Sequence, residues 1–307
     1  MYLEAKSCIR WIFIINLQED ICLKPRQSLL KIQARVKMEL FSIKDKVIVV
    51  TGGTGVLGGS FVHALAGQGA KVVLIGQNEN IGKERVVALK DKGQEAFFVA
   101  ANVLQEADLI KAKNTIVEKY GRIDGLVNGA GGNLPEGILS PKEDIFTMNI
   151  EGMKKTMELN VWGTVLPVQV FGPEIAKTGA GSIVNISSVN AKRTVTRGLG
   201  YSMGKAAIDL YTKWFAVEMA NRYGDAVRIN SIMPGFFLTK QNKNLLTNED
   251  GSLTERGGLI IKNTPFKRFG QPEELIGALI WLLSDASKFV TGMDIGVDGG
   301  FTINSGV

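Results

Sequence analysis

The chain has 307 residues, of which 45% are hydrophobic and 21% charged, a composition that supports one large core and excludes an intrinsically disordered chain. It contains no stretch of about eighteen uncharged apolar residues, so the sequence predicts no membrane-spanning helix. The net charge is +6, but residues 1–37 carry seven basic and three acidic residues, which leaves 29 basic against 27 acidic residues elsewhere. This small excess does not indicate a nucleic-acid-binding surface.

Residues 1–37 differ in composition from the rest of the chain. They hold both cysteines, Cys8 and Cys22, and an apolar run over residues 9–15 that is too short to span a bilayer. We expect a leader or an extension outside the core, the alternative being an uncleaved targeting or membrane-surface helix, and we expect residues 38–307 to form one domain. Because that domain lacks cysteine, it can contain neither a disulfide nor a cysteine metal site. This suits a reducing cytosol, and since His63 is the only histidine of the chain, we expect a cytoplasmic protein without a metal. Because no stretch is long enough to span a bilayer, we also expect no membrane partner.

From residue 46 onward, short β-branched runs alternate with helical stretches, a pattern typical of βαβ units on a parallel sheet. Glycines and polar turns separate the runs, and no internal repeat or low-complexity linker interrupts them. The sequence therefore predicts a single α/β domain with a doubly wound, Rossmann-like parallel sheet and helices on both faces. The seven predicted strands cover residues 47–50, 72–75, 96–99, 126–127, 183–186, 227–232 and 293–297.

A glycine-rich loop follows the first predicted strand and leads into a helical run over residues 61–66. Its Gly53-x-Gly55-x-x-Gly58 spacing allows the backbone to approach a dinucleotide pyrophosphate, whose charge the free N–H groups of the helix N-terminus would meet. An acidic residue that would bind the ribose of NAD is absent about twenty positions later. The second predicted strand ends instead in the neutral Gln77 and Asn78, which leaves NAD and NADP both open.

Tyr201 and Lys205 lie four residues apart at the opening of a helix that is predicted to continue over residues 206–220. A neighbouring ammonium favours a phenolate, so we expect Lys205 to lower the pKa of Tyr201 into the range of acid–base catalysis. Taken alone, such a pair is more often part of a solvated helix face.

Ser188 ends the fifth predicted strand, where its hydroxyl can reach a cleft at the carboxyl edge of the sheet. Asn160 lies within a predicted helix, where it could equally be a satisfied core amide.

Taken in order, these motifs resemble the short-chain dehydrogenase/reductase family over residues 41–303. The resemblance also covers Asn128-Gly129-Ala130-Gly131, Pro234-Gly235 and Asp298-Gly299-Gly300. It implies a dinucleotide-binding catalytic domain that uses NAD or NADP and assembles as a homotetramer. The cofactor contacts that it implies are Gly52, Thr54, Gly55, Leu57, Gly58, Gln77, Asn102, Val103, Asn128, Ala130, Gly131, Tyr201, Lys205, Pro234, Gly235 and Thr239.

The same resemblance implies a role for each catalytic residue. Tyr201 would exchange a proton with the substrate oxygen, and Ser188 would hydrogen-bond that oxygen. Lys205 would lower the tyrosine pKa and hold the nicotinamide ribose, whereas Asn160 would anchor a water relay. This sequence departs from the family pattern at four positions, none of which removes a catalytic group: Val56, Asn102, Gly129 and Gly204.

Residues 128–135, followed by a long stretch before Asn160, resemble the D-mannonate oxidoreductase (fructuronate reductase) branch of the family. Such an enzyme interconverts a sugar-acid alcohol and its ketone. Basic residues between Ser188 and Tyr201 could hold the carboxylate in a bidentate manner, although a solvated position is the alternative for each. Residues 236–266 are predicted to form a mobile lid. The predicted substrate contacts are Ser188, Asn133, Arg193 and Arg197, with Lys192 as a further basic residue of the same segment.

Two alternatives stay open. One is another reductase of the same family, either gluconate 5-dehydrogenase-like or acting on 3-oxoacyl thioesters. The other is a non-catalytic protein that has kept the fold and the NAD(P) site. The second alternative gives no chemical reason to keep Asn160, Ser188, Tyr201 and Lys205 together.

Overall fold

The computed structural model describes residues 39–238 and 243–306. The predicted leader, residues 1–37, and the predicted cofactor contact Thr239 lie outside the described residues. The chain divides into two units, Met1–Ser42 and Ile43–Val307, and the second unit contains the described secondary structure that positions the candidate site.

The second unit is built on one parallel sheet, whose strands run in the order β3-β2-β1-β4-β5-β6-β7. The predicted doubly wound α/β fold is therefore confirmed. Because the strand order reverses between β1 and β4, a crevice opens at the carboxyl ends of these two strands, where folds of this kind bind ligands. The strands are β1 Val47–Thr51, β2 Lys71–Gly76, β3 Ala96–Ala100, β4 Gly125–Asn128, β5 Gly181–Ile186, β6 Val227–Pro234 and β7 Asp294–Val297.

Helices cover both faces of the sheet. The first two helices and the last one share a core with one face, and the third, fourth and fifth share a core with the other. Among the described residues, no helix combines the length and the apolar character needed to cross a bilayer. The helices are α1 Val56–Gly67, α2 Glu79–Lys90, α3 Glu106–Tyr120, α4 Ile150–Ala176, α5 Leu199–Tyr223, α6 Lys243–Leu246, α7 Glu255–Asn263 and α8 Ile276–Leu283.

Strand β1 shows why the sheet is continuous. Ile48 and Val50 face the core that contains Phe61 of α1, whereas Val47 and Val49 face the opposite core, and all four are buried. Side chains alternate between the faces of a strand, so a strand covered on both faces must be apolar at every position. With both faces filled, the carboxyl edge of the sheet is the place where polar groups can meet a ligand.

Helices α4 and α5 lie unusually close to each other beside this edge. A Cβ atom on Gly204 would lie 3.0 Å from the Cβ atom of Asn160, and one on Gly200 would lie 2.7 Å from the carbonyl oxygen of Met153. The contact at Gly200 is closer than real Cβ atoms approach a backbone oxygen, and a side chain at position 204 would require Asn160 to shift. Gly204, one of the departures from the family pattern, thus lets Asn160 approach the helix that carries Tyr201 and Lys205.

Candidate active site

The loops that follow β1 and β4 meet at the crevice. The hydroxyl of Thr51 accepts a hydrogen bond from the backbone N–H of Ala130 at 3.3 Å. Gly52 has a φ of +66°, and a Cβ atom there would lie 2.7 Å from the backbone of Gly129. A Cβ atom on Gly58 would approach the carbonyl oxygen of Gly52 to 2.1 Å. The glycines therefore allow two loops and a helix to converge without side chains between them.

The N-terminus of α1 opens into this crevice and fits an anionic group. Gly55 is its N-cap, no side chain caps the helix, and the first turn contains no acidic residue. The first N–H groups of a helix have no partners within the helix, and together with the helix dipole they favour a phosphate. The predicted contacts Thr54 and Leu57 lie in the same segment, so the residues present fit the pyrophosphate of NAD or NADP.

The ends of β2 and β3 extend the crevice with neutral side chains. Gln77 is exposed, whereas the side chain of Asn78 accepts a hydrogen bond from the N–H of Ile81 and caps α2. The side chain of Asn102 accepts a hydrogen bond from the N–H of Leu104 at 3.0 Å. Val103 is buried next to it. These positions, at the carboxyl ends of neighbouring strands, fit the adenosine half of a dinucleotide.

The predicted Tyr201, Lys205 and Ser188 come together on the far side of the crevice. Helix α5 begins at Leu199, so Tyr201 lies in its first turn and Lys205 one turn later. The ammonium of Lys205 is 5.6 Å from the centre of the Tyr201 ring and donates to the carbonyl oxygen of Ile186 at 2.7 Å. Ser188, just beyond the end of β5, hydrogen-bonds the side chain of Tyr201.

Burial controls the protonation of this group of residues. It raises the pKa of Tyr201 above its ordinary value, while the hydrogen bond from Ser188 opposes the change by favouring the phenolate. Burial also lowers the pKa of Lys205 to about 8, and the nearby carboxylate of Asp209 opposes that change. The sequence predicts a lowered tyrosine pKa, whereas burial acts in the opposite direction and outweighs the hydrogen bond from Ser188.

Asn160 joins the loop after β4 to the same group of residues. Its buried amide donates to the carbonyl oxygens of Gly132 and Thr156, both at 2.8 Å, and accepts from the N–H of Gly132 at 3.1 Å. A Cβ atom on Gly131 would lie 2.7 Å from the amide oxygen of Asn160 and 3.2 Å from the ammonium of Lys205. The amide thus fastens the loop, and its predicted part in a water relay stays a prediction.

Asn128, Pro234 and Gly235 complete the nicotinamide side of the crevice. The amide nitrogen of Asn128 donates to Asn185 at 2.9 Å, while its buried amide oxygen has no hydrogen-bond partner among the described residues. Gly235 follows the end of β6 and donates to the carbonyl oxygen of Val297 at 2.9 Å. These predicted contacts therefore border the same edge of the sheet as Ser188.

The predicted basic residues near the site have different partners. Lys192 forms ion pairs with Asp209 and Asp294, both at 2.9 Å, and Arg193 donates to the carbonyl oxygen of Asn304. Arg197 is half-buried, has a φ of +82° and donates to the carbonyl oxygen of Leu139 at 3.2 Å. The structure therefore gives Arg197 a neutral partner and places Lys192 within a charged network.

Asn133 lies close to the segment that contains Arg197. It is exposed, and a Cβ atom on Gly198 would lie 3.0 Å from its amide nitrogen. The N–H of Leu139 donates to the carbonyl oxygen of Arg197 at 2.9 Å, which joins the stretch after residue 132 to the segment before Tyr201. The structure thus brings the predicted substrate contacts Asn133 and Arg197 together.

Sequence reasoning missed Arg256, which lies in the first turn of α7. It is half-buried, and its pKa is lowered first by burial and then by the positive charge of Arg197. The segment predicted as a lid, residues 236–266, contains α6 and α7, and its Leu246 and Ile260 form a small core with Phe269, which follows the segment. A cation in the first turn of a helix opposes the helix dipole, which is the one local signal that could have drawn attention to Arg256.

A cavity of about 600 Å³ lies beside the predicted catalytic residues. It is lined by Asn190, whose side chain is 3.4 Å from both Ser188 and Ser202, and by Arg193 and Arg197. Much of the remaining lining is apolar, including Leu139, Ile145, Met148, Leu199 and Met203.

The comparisons with known proteins agree with this geometry. A family model described as enoyl-(acyl carrier protein) reductase matches residues 55–302. The chain is 41% identical over 275 residues to the uncharacterized oxidoreductase UxuB of Bacillus subtilis (strain 168), which covers 87% of this chain and 98% of the relative. Over 262 residues it is 33% identical to a cyclopentanol dehydrogenase of Comamonas testosteroni, with coverage of 85% and 99%.

Solved structures show the same likeness. A structure with bound NAD from Haemophilus influenza, provisionally named D-mannonate oxidoreductase, has a TM-score of 0.80 and 36% identity over 87% of this chain and 98% of its own. A gluconate 5-dehydrogenase from Burkholderia cenocepacia J2315, in complex with NADP and tartrate, has a TM-score of 0.75 and 29% identity over 87% and 99%. With its sheet order, its glycine loop and these relatives, the chain belongs to the short-chain dehydrogenase/reductase family.

Proposed function

We propose that this NAD(P)-dependent oxidoreductase interconverts the alcohol and ketone forms of a sugar acid, with D-mannonate and D-fructuronate as the preferred pair. The observation that carries the proposal is that Arg197 lines the cavity together with Asn190, which contacts Ser188, while the charge of the half-buried Arg256 acts on Arg197. The provisional name of the Haemophilus influenza structure supports D-mannonate as the alcohol of this pair.

The chain takes NAD or NADP as its cofactor, which supplies or accepts a hydride when bound. The uncapped first turn of α1 would hold the pyrophosphate through its N–H groups. Lys205, whose ammonium lies close to Gly131, would hold the nicotinamide ribose. The predicted contacts at the ends of β2, β3, β4 and β6 would hold the adenosine and nicotinamide.

Tyr201 would act as the general acid when the ketone is reduced. Because burial raises its pKa, the phenol is protonated at neutral pH and can donate to the substrate oxygen, which Ser188 would hydrogen-bond. In the oxidation direction Tyr201 must first lose its proton. The hydrogen bond from Ser188 and the positive charge of Lys205 both favour that loss, so oxidation should become faster as the pH rises.

Arg197 and Arg256 would bind the substrate carboxylate together. Two half-buried guanidinium groups repel each other, and the described part of the chain places no carboxylate within ion-pair distance of either. An anion between them would replace that repulsion with two charge-assisted hydrogen bonds. Arg193, which is exposed, whereas Arg197 and Arg256 are half-buried, would contribute less to binding of the carboxylate.

Arg197→Met and Arg256→Met are each expected to raise KM for fructuronate about 10- to 100-fold while kcat changes by less than about threefold, because a hydrogen bond to a charged group contributes about 1.5 to 3 kcal/mol. Steady-state kinetics with NADH measures both constants. Arg193→Met is the matched control and should leave KM nearly unchanged. If all three variants keep the KM of the parent protein, the carboxylate is bound elsewhere.

A 3-oxoacyl-thioester reductase is the second candidate function, because the apolar side of the cavity suits an acyl chain. The two functions are distinguished by oxidation of NADH and NADPH with keto sugar acids, 5-ketogluconate and an acetoacetyl thioester. The sugar-acid proposal requires the highest kcat/KM for a keto sugar acid. Turnover of the thioester alone would establish the second candidate instead.

We expect NADH to be preferred to NADPH by at least about tenfold in kcat/KM. The end of β2 offers the neutral Gln77 and Asn78, and the next residue, Glu79, carries a negative charge that would repel a 2′-phosphate. Lys83 is paired with Glu79 at 2.7 Å. The preference is measured with both cofactors on one substrate, and Gln77→Arg should reduce it. Equal use of both cofactors by the parent protein would contradict this expectation.

A homotetramer is also proposed. Along α5, Leu210, Trp214 and Val217 are exposed at helical spacing, and Trp162 of the neighbouring α4 is exposed as well. Large apolar side chains grouped on one face commonly mark a protein interface.

The absence of a nucleic-acid partner and the cytoplasmic location stay predictions.

A further inference from the structure

We propose that Arg85 of α2 is a positioning residue for the cofactor pyrophosphate. Its guanidinium hydrogen-bonds backbone carbonyls of the glycine-rich loop that follows β1 and so holds that loop in place. One guanidinium nitrogen donates to the carbonyl oxygens of Gly53 and Gly55, the second at 2.9 Å. Arg85 is half-buried, and burial lowers its pKa while the charge of Glu84 opposes the change. The contact links the loop after β1 to a helix that begins more than twenty residues later.

Gly59, in the first turn of α1, makes this contact possible. A Cβ atom on Gly59 would lie 2.7 Å from the central carbon of the Arg85 guanidinium. Gly59 is buried in ordinary helical backbone with no positive φ, where alanine would stabilise the helix by about 1 kcal/mol relative to glycine. The space needed by Arg85 therefore explains why glycine lies at this position.

The two carbonyl contacts orient the opposite side of the loop. In a trans peptide the C=O and N–H groups point in opposite directions, and the described chain contains no cis peptide bond. By holding the carbonyls of Gly53 and Gly55, Arg85 fixes the N–H groups of Thr54 and Val56 on the face away from its guanidinium. Those N–H groups belong to the segment whose uncapped helix N-terminus fits the pyrophosphate. Arg85 thus acts on the cofactor through the loop.

The first test is the binding of cofactor fragments to Arg85→Met. Its dissociation constants for NADH and ADP are expected to rise about tenfold, because two backbone groups lose their charged donor. The dissociation constant for adenosine, which lacks phosphate, should stay within about twofold. Fluorescence titration measures NADH, calorimetry measures ADP and adenosine, and kcat at saturating NADH should change by less than about threefold.

A double-mutant cycle separates this positioning from a general effect on folding. Gly59→Ala in the parent protein should weaken ADP binding about as much as Arg85→Met, because its methyl group displaces the guanidinium. In the Arg85→Met background the same alanine should cause no further loss. Additive effects of the two changes would overturn the proposal.

Two further results would also overturn it. One is an unchanged dissociation constant for ADP in Arg85→Met, and the other is an equal loss of adenosine binding. Arg85→Lys keeps the charge but offers a single ammonium, so its ADP affinity should lie between those of Arg85→Met and the parent. Full affinity in Arg85→Lys would show that charge alone acts and that the loop is not positioned by the guanidinium.

Discussion

Tyr201→Phe is expected to lower kcat by about 10³- to 10⁴-fold, near the upper range for loss of a general acid, while the dissociation constant for NADH stays within about twofold. The change removes one oxygen atom and keeps the ring that lies next to the ammonium of Lys205. Since burial keeps the Tyr201 phenol protonated at neutral pH, the lost group is the proton donor for the substrate oxygen. Single-turnover oxidation of enzyme-bound NADH at pH 7 measures the chemical step, and fluorescence titration measures cofactor binding.

Tyr223→Phe provides the matched control. Tyr223 is an exposed tyrosine at the other end of the same helix, and loss of its hydroxyl should change neither kcat nor NADH binding. Melting temperatures of both variants show whether the fold is kept. A Tyr201→Phe protein that keeps more than about a tenth of the parent kcat would remove Tyr201 as the acid and, with it, the proposed division of roles with Ser188.

Most of the sheet could be predicted because its inner strands are buried on both faces. Such strands are continuous apolar runs, so the predicted residues 47–50 and 183–186 fall within the observed Val47–Thr51 and Gly181–Ile186. The start of α5 could not be predicted in the same way. Gly200 and Gly204 weaken the helical signal near Tyr201, yet both lie where α5 packs closely on α4, and that packing depends on the tertiary structure.

The candidate site, like the fold, could be predicted only in part from the sequence. Tyr201 and Lys205 share a helix face, and Ser188 follows a strand, so local spacing predicts that they meet at one edge of the sheet. Arg85 and Arg256 act across long sequence separations and belong to no local motif. The direction of the Tyr201 pKa also depends on burial, which no spacing of residues reveals.

The ion pairs of Lys192 are a further feature that local sequence spacing does not predict. Lys192 lies in the segment expected to reach the substrate, but it is paired with Asp209 and Asp294. Asp209 lies one turn beyond Lys205 on α5, and its carboxylate is the group that opposes the lowering of the Lys205 pKa. Of the three basic residues that line the cavity, Lys192 is therefore held by two carboxylates, whereas Arg193 and Arg197 donate to backbone carbonyls.

Lys205→Met is expected to abolish most turnover and yet to raise the free energy of unfolding at pH 7 by about 1 to 3 kcal/mol. Burial lowers the pKa of Lys205 from 10.5 to about 8, so below pH 8 the folded protein carries a buried charge that the unfolded chain holds in water at less cost. Methionine removes that cost, and loss of the hydrogen bond to Ile186 offsets about 1 kcal/mol of the gain.

The pH dependence of this gain distinguishes it from better packing alone. Between pH 8 and 10.5 the unfolded parent chain holds a proton on Lys205 that the folded protein has lost, so the stability of the parent rises with pH through that window. The advantage of Lys205→Met should therefore be largest below pH 8 and fade toward pH 10.5. Urea unfolding without cofactor at pH 7 and pH 10 measures the advantage of Lys205→Met over the parent protein. Lys213→Met is the control, because Lys213 is half-exposed and paired with Asp294. A gain that is the same at both pH values, or a loss of stability at pH 7, would contradict the view that the active site keeps a destabilising buried ammonium for the sake of catalysis.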